Sequence, residues 1–363
     1  MSSPTQNPRR RGSLADKARA DEQIREHIRA YPGSITYLDL IRKNKRDSVL
    51  LIAGMLALGL VLGGVIGGAV GGYAGADIMG SGQDGYTAID LLPSIVLGAI
   101  VAFLFAAGGA LWSYRAGANA ILRMAHAREV TRELDQELFN VVDEMRIAAG
   151  IPMPRIYIIG DTALNAFATG RDPEHAVVAI TTGLRQKLTR DELQGVIAHE
   201  IAHIRHYDIR FSLLMATMVG LIVFACDAFL RATWYGARAR GRGRRSSGGG
   251  KGQIVLLVLA LVLAIVAPLI ARLIQMAYSR QREYLADAGA VELSRNPEGL
   301  ASALSRLAMD EEPLVDTANR GTAHMYIVNP LRKMRASHNQ LNSRFSSHPP
   351  VKQRIARLLA LTR

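Results

Sequence analysis

The chain holds a single cysteine, Cys226, and that residue lies inside an apolar block. One thiol builds no disulfide framework and no cysteine-based metal site. Any metal must therefore be held by histidines and carboxylates. No apolar h-region follows the initiator Met, so the polar, basic residues 1–47 do not read as a cleavable secretory signal. Acidic residues are outnumbered, 31 Asp and Glu against 44 Lys and Arg, which leaves a formal charge of +13. That excess could suit nucleic acid, but the Arg/Gly-rich stretch 237–252 has no interleaved aromatic on which a base could stack. A membrane protein with basic flanks gives the same total, and nucleic acid is not expected as a partner.

What is present in abundance is apolar sequence, 49% of the chain, and it is segregated into blocks at about Val49–Gly72, Ile89–Trp112, Phe211–Leu230 and Ile254–Ile274. Each is roughly 20 residues or more, enough to cross ~30 Å of hydrocarbon as a helix. The first inter-block loop, Tyr73 to Ala88, has no Lys or Arg, whereas the N-terminal arm and residues 115–128 are basic. The positive-inside rule then places the arm and the 115–210 region in the cytoplasm. The connection 231–252 is strongly basic and Asp227 interrupts the third block. The second pair of blocks therefore reads either as two spans or as a hairpin with its tip inside, for two to four transmembrane helices. Glycines 59, 63, 67, 71 and 75 recur at every fourth position of the first block, a flat stripe suited to close helix packing.

Five ranges follow: a basic arm 1–47, an apolar hairpin 48–115, a soluble stretch 116–210, an apolar hairpin with a basic loop 211–275, and a second soluble stretch 276–363. In the first soluble stretch, Leu134, Leu138, Val141, Val142 and Met145 are spaced for an amphipathic helix ending near Gly150. Residues 155–159, 165–169 and 176–181 read as strands, with a turn at Gly170-Arg171-Asp172-Pro173.

His199-Glu200-Ile201-Ala202-His203 is the chemically informative run. Histidines four apart on a helix share a face, and a glutamate between them can serve as general base for a zinc-activated water. The helix is supported by a capping box at Thr189 and Glu192, with Leu188 and Leu193 placed as a staple. Its charged ends, Arg190, Asp191 and Glu192 against Arg205 and Arg210, suit a membrane-surface helix rather than a span. A catalytic zinc needs a third protein ligand. Glu283 and Asp287, four apart on a predicted helix, offer one carboxylate for the metal and another for the far nitrogen of a ligand histidine; a solvated helix face gives the same spacing. His206 shares the His199 face and reads as a bystander, and Asp208 as a helix end or the partner of a basic neighbour.

These motifs, with Gly150-Ile151-Pro152-Met153-Pro154, Asn165 through Gly170, Ser279 through Asp287, and Ser347-His348-Pro349-Pro350 followed by Arg354-Ile355, resemble the HtpX-like membrane zinc metalloproteases, relatives of the CAAX prenyl protease. The likeness runs from about residue 35 onward. It implies an α+β membrane protein with a zincin-type catalytic domain of helices and a short sheet. It implies one zinc per chain on His199, His203 and Glu283, with Glu200 as base and Asp287 behind a ligand. It also implies a multi-pass protein of the bacterial plasma membrane whose site faces the cytoplasm and whose role is membrane-protein quality control. The chain is thus expected to be a zinc metalloendopeptidase acting on polypeptides such as misfolded membrane proteins. Substrate is expected to pair with the edge strand at Asn165, Ala166 and Phe167. His348, aided by Arg354, is the candidate donor to the oxyanion and Arg354 a candidate substrate contact, although His348-Pro349-Pro350 could equally be a rigid turn. A membrane scaffold with a structural zinc is the competing reading, disfavoured by the lack of a cysteine set and by Glu200.

Overall fold

The computed structural model describes residues 37–78, 88–240, 251–310 and 349–360. They form two compact units, one from Asp47–Ala120 and Arg210–Tyr278, the other from the described residues up to Arg46, Ile121–Ile209 and the described residues from Ser279 on. The basic arm before residue 37, the tip of the basic loop at 241–250, and His348 lie outside the described residues.

The first unit is built from helices α1 (Tyr37–Ile78), α2 (Ala88–Met124), α6 (Asp208–Arg240) and α7 (Lys251–Ser294), whose ends run beyond it. Each contains a stretch long and apolar enough to cross a membrane: Val49–Gly71, Leu91–Met124, Asp208–Tyr235 and Leu257–Met276. All four helices outrun the apolar blocks: α2, for example, continues unbroken past Arg115 and α7 past Ile274. At most a third of the most apolar window in any of these stretches is buried within the protein. Leu97, Leu104, Phe224 and Ile265 point outward, and a continuous apolar exterior of this kind is stable in lipid and not in water. The glycine stripe meets α2 closely. A Cβ on Gly63 would fall against Ala102 and the Gly98 carbonyl, and one on Gly67 against Gly98 and the Ser94 carbonyl, whereas Gly59 faces open space. Thr217 donates to Ser113 Oγ at 2.8 Å and so ties α6 to α2. Asp227 is exposed on α6 but does not stand alone, since Arg231 one turn on bonds its carboxylate at 2.9 Å. Pairing removes much of the cost of a charge near the end of a span.

The second unit is α+β. Strands β1 (Arg128–Glu129), β2 (Arg155–Ile159), β3 (Ala166–Thr169) and β4 (Val177–Thr181) form a sheet in the order β1-β2-β4-β3. β2 and β4 are parallel, while β1 and β3 pair antiparallel at the two edges. Helices α3 (Gln136–Ala149), α4 (Thr182–Lys187), α5 (Arg190–Arg205), α8 (Pro297–Met309), α9 (Val351–Ala360) and the end of α7 complete it. The start of α3 differs from the expectation for residue 134. Asp135 is the N-cap, accepting the Leu138 N–H at 3.0 Å, so Leu134 precedes the helix and is exposed. Gly150 takes the left-handed conformation (φ 66°) that ends α3.

α5 is the central helix of this unit. Thr189 and Glu192 form the expected capping box, worth about 0.5–2 kcal/mol. Glu192 also accepts from Ser302 Oγ at 2.5 Å and Arg306 Nε at 2.6 Å, fixing α8 to the start of α5. From Leu193 to Ile204 almost every α5 residue is buried, against a core that includes Val142, Val178, Ile180 and Leu304. α5 meets the backbone of α8 closely at Gly195, where a Cβ would sit 2.6 Å from Leu300 N and 2.8 Å from its Cα. Gly195→Ala should therefore lower stability by about 1–3 kcal/mol in unfolding of the detergent-solubilised protein. Gly59→Ala, which meets nothing within 4 Å, should be neutral or stabilising; equal behaviour of the two variants would contradict this packing.

Candidate active site

α5 carries His199, Glu200 and His203, and the last four turns of α7 carry Arg282, Glu283 and Asp287. Four-residue spacing puts both imidazoles on one face of α5. His199 Nε2 and His203 Nε2 are 3.2 Å apart. Glu283 completes the triangle, with Oε2 3.7 Å from His199 Nε2 and Oε1 3.8 Å from His203 Nε2. Two ligands at ~2.0–2.1 Å from one tetrahedral zinc lie ~3.3 Å apart, so these separations fit a single ion with a small inward adjustment. The set of two imidazoles and one carboxylate is also the chemistry of a catalytic zinc, with room for a fourth position.

The far side of each imidazole is held. Asp287 Oδ1 lies 3.1 Å from His199 Nδ1, and Asp208 Oδ2 lies 3.0 Å from His203 Nδ1. A proton on each Nδ1 donates to its carboxylate and leaves the Nε2 lone pair facing the triangle. Behind each carboxylate is a buried arginine. Arg354, from α9, donates to both Asp287 oxygens at 2.9 and 2.7 Å and reaches Glu283 Oε2 at 3.0 Å. Arg282 Nη1 is 3.1 Å from Asp208 Oδ1 and 3.3 Å from the Asp208 carbonyl oxygen. α9 is held in turn by Tyr284, which donates to Gln353 Oε1 at 3.2 Å and receives the Arg357 guanidinium over its ring.

Burial sets the electrostatics. It lowers the His199 pKa, with the Arg354 and His203 charges adding, so the imidazole is held neutral, as a ligand must be. Burial presses His203 the same way, but the Asp208 hydrogen bond and charge override it and carry the group to about 9. Its proton would have to leave as a cation arrived. Glu200, removed from water and near Glu283, is raised to about 7, close to the range in which a carboxylate is an effective base. Burial opposes ionisation of Asp287, yet Arg354 and the His199 hydrogen bond hold its pKa below the usual carboxylate range.

β3 lies alongside α5. Thr181 N donates to the Asn165 carbonyl at 3.0 Å, and the antiparallel alternation then turns the backbone groups of Ala166 and Ala168 away from β4. Asn165 Oδ1 takes the Ala166 N–H at 3.0 Å, and the Ala168 N–H donates to the Glu200 carboxylate. Asn165, Ala166 and Phe167 are all buried.

Six of the residues singled out in the sequence are thus brought together: His199, Glu200, His203, Glu283, Asp287 and Arg354. The arginine is not where a substrate contact was expected, because its guanidinium is wholly buried and bonded to Asp287 and Glu283. Nor does Asp208 end the metal helix. α5 stops at Arg205, Tyr207 takes a left-handed conformation (φ 61°), and Asp208 opens α6. Its link to His203 escaped the sequence reading, since residues five apart on an unbroken helix are turned about 140° from each other. His206 is buried at the C-cap of α5, outside the donor triangle.

The model of peptidase family M48 matches residues 132–362. The "Protease HtpX homolog" of Ligilactobacillus salivarius is 41% identical over 319 residues, covering 88% of this chain and 97% of that protein. The protein of the same description from Dictyoglomus turgidum is 47% identical over 262 residues, covering 72% and 81%. The crystal structure of S. mikatae Ste24p aligns over 73% of this chain and 58% of that one, with 19% identity and a TM-score of 0.46. The family match over residues 132–362, and relatives aligned over most of their own length, make this chain a member of peptidase family M48, similar over most of its length to the HtpX proteases.

Proposed function

We propose that the chain is a membrane-bound zinc endopeptidase that hydrolyses polypeptides at the α5–α7 site. The observation that carries this reading is the triangle of His199, His203 and Glu283 donor atoms, beside the buried Glu200 carboxylate. Bound there, zinc would supply Lewis-acid polarisation of the scissile carbonyl and of the attacking water. The chain's own groups do the rest. Asp287 and Asp208 hold the Nδ1 protons of His199 and His203, so that both Nε2 atoms face the metal, the His203 Nε2 giving up its proton as the ion binds. Glu200 accepts the proton of the water and passes it to the leaving amine, a transfer its raised pKa suits. The outward carbonyls of Ala166 and Ala168 on edge strand β3 align an extended substrate antiparallel to the strand. Main-chain pairing of this kind tolerates many sequences, as removal of varied misfolded membrane proteins would require.

Glu200→Gln should keep stoichiometric zinc and lose at least ~100-fold in cleavage of an unfolded model substrate. His199→Ala and Glu283→Gln should lose the metal as well. Metal analysis beside the cleavage assay checks both, and an active Glu200→Gln protein would remove the mechanism.

The four apolar helices and the bacterial relatives support a multi-pass protein of the plasma membrane, and the basic 115–128 region supports a site on the cytoplasmic face. The lone Cys226 makes this simple to test. In a Cys226→Ser background, a thiol introduced by Glu133→Cys, at an exposed position of the catalytic unit, should resist a membrane-impermeant maleimide in intact cells with a permeabilised outer layer. It should react once the plasma membrane is opened. Labelling before opening would reverse the orientation.

A further inference from the structure

We infer that Asp208 and Arg282 form a positioning pair for the metal ligand His203, so that the α5–α6 turn acts through that imidazole on metal affinity. The inference rests on the proposed zinc site and deepens it by adding Arg282, which that reading left without a role, as the anchor behind Asp208.

Four observations converge. The pair is buried, with Asp208 and Arg282 side chains only 2% and 3% exposed, and burying two charges costs more desolvation than their attraction commonly returns. Tethering the two helices does not account for Asp208 dividing its oxygens, one for Arg282 Nη1 at 3.1 Å and the other for His203 Nδ1 at 3.0 Å. The chain also turns sharply to make that contact. A continuous helix would carry Asp208 away from the His203 face, and only the break at Tyr207, a non-glycine residue with φ 61°, returns it. Finally, Arg282 is the residue before Glu283, so one turn of α7 supplies both a ligand for the metal and the anchor for the brace on another ligand. The arrangement parallels Arg354–Asp287–His199, which draws its arginine from α9 instead.

The pair works by orientation. Arg282 fixes the carboxylate, the carboxylate fixes the proton on His203 Nδ1, and Nε2 is left as a lone pair aimed at the ion. Neither residue touches substrate.

The test uses the full-length, detergent-purified protein in a Glu200→Gln background, which prevents self-cleavage, and measures zinc affinity by chelator competition and apo-protein melting. The parent must first bind one zinc that His203→Ala weakens severely; failure there is failure of the proposed zinc site itself. Given that, Asp208→Asn should weaken zinc about 10- to 100-fold and lower the melting temperature by leaving Arg282 without its carboxylate. The double variant Asp208→Asn/Arg282→Gln separates the two effects. It removes both charges, so melting should recover toward the parent while zinc affinity stays low. Parental affinity in the double variant, or affinity that recovers along with melting, would show an ordinary structural ion pair and overturn the inference.

Discussion

The catalytic unit depends on holding two imidazoles immobile and aimed at one point inside a protein interior. Histidines four apart on a helix supply proximity, but a side chain with two torsions can point elsewhere. The constraint is met from behind, by a carboxylate on each Nδ1 and an arginine on each carboxylate. Much of the remaining architecture serves those four groups: the α5–α6 turn for Asp208, α7 for Asp287 and Arg282, and α9 for Arg354.

Placing so much charge out of water has an energetic consequence for the scaffold. Each buried ion must be matched, and a missing partner costs more than the pair contributes. The surrounding packing is correspondingly strict. α5 is capped reciprocally at its start, tied to α8 through Glu192, and pressed against Leu300 at a glycine. The membrane unit reaches close packing by other means: small residues along α1 and α2 and a hydroxyl pair between α2 and α6. In lipid, apolar burial offers little net gain between helices, so contact distance matters more.

How much was legible in the sequence follows from the range of each interaction. The α5 helix and its cap were readable because Thr189, Glu192, His199 and His203 act on neighbours within a turn or two. β2, β3 and β4 were readable from β-branched runs and the Gly170–Pro173 turn, whereas β1 is two residues long and carries no pattern. Spacing marked Glu283 and Asp287 as a same-face pair, but only the family resemblance divided their roles. Arg354 was noticed yet pictured facing substrate, since nothing local reveals that an arginine of a short terminal helix will be buried beneath two carboxylates. Asp208 was missed as a brace because its position depends on a turn at Tyr207 that no glycine or proline announces.

The order in which the pieces leave the ribosome has its own significance. Arg354 lies 155 residues after His199, and both apolar helices α6 and α7 are made in between. At ~5–20 residues per second, that interval is roughly 8–30 s. Throughout it the HEIAH helix lacks Arg354, and for more than the first half of it Glu283 and Asp287 have not been made either. The site is thus a late product of biosynthesis. A protease assembled in this sequence stays incomplete while its own nascent chain is unfolded, which is when it would be most easily cleaved.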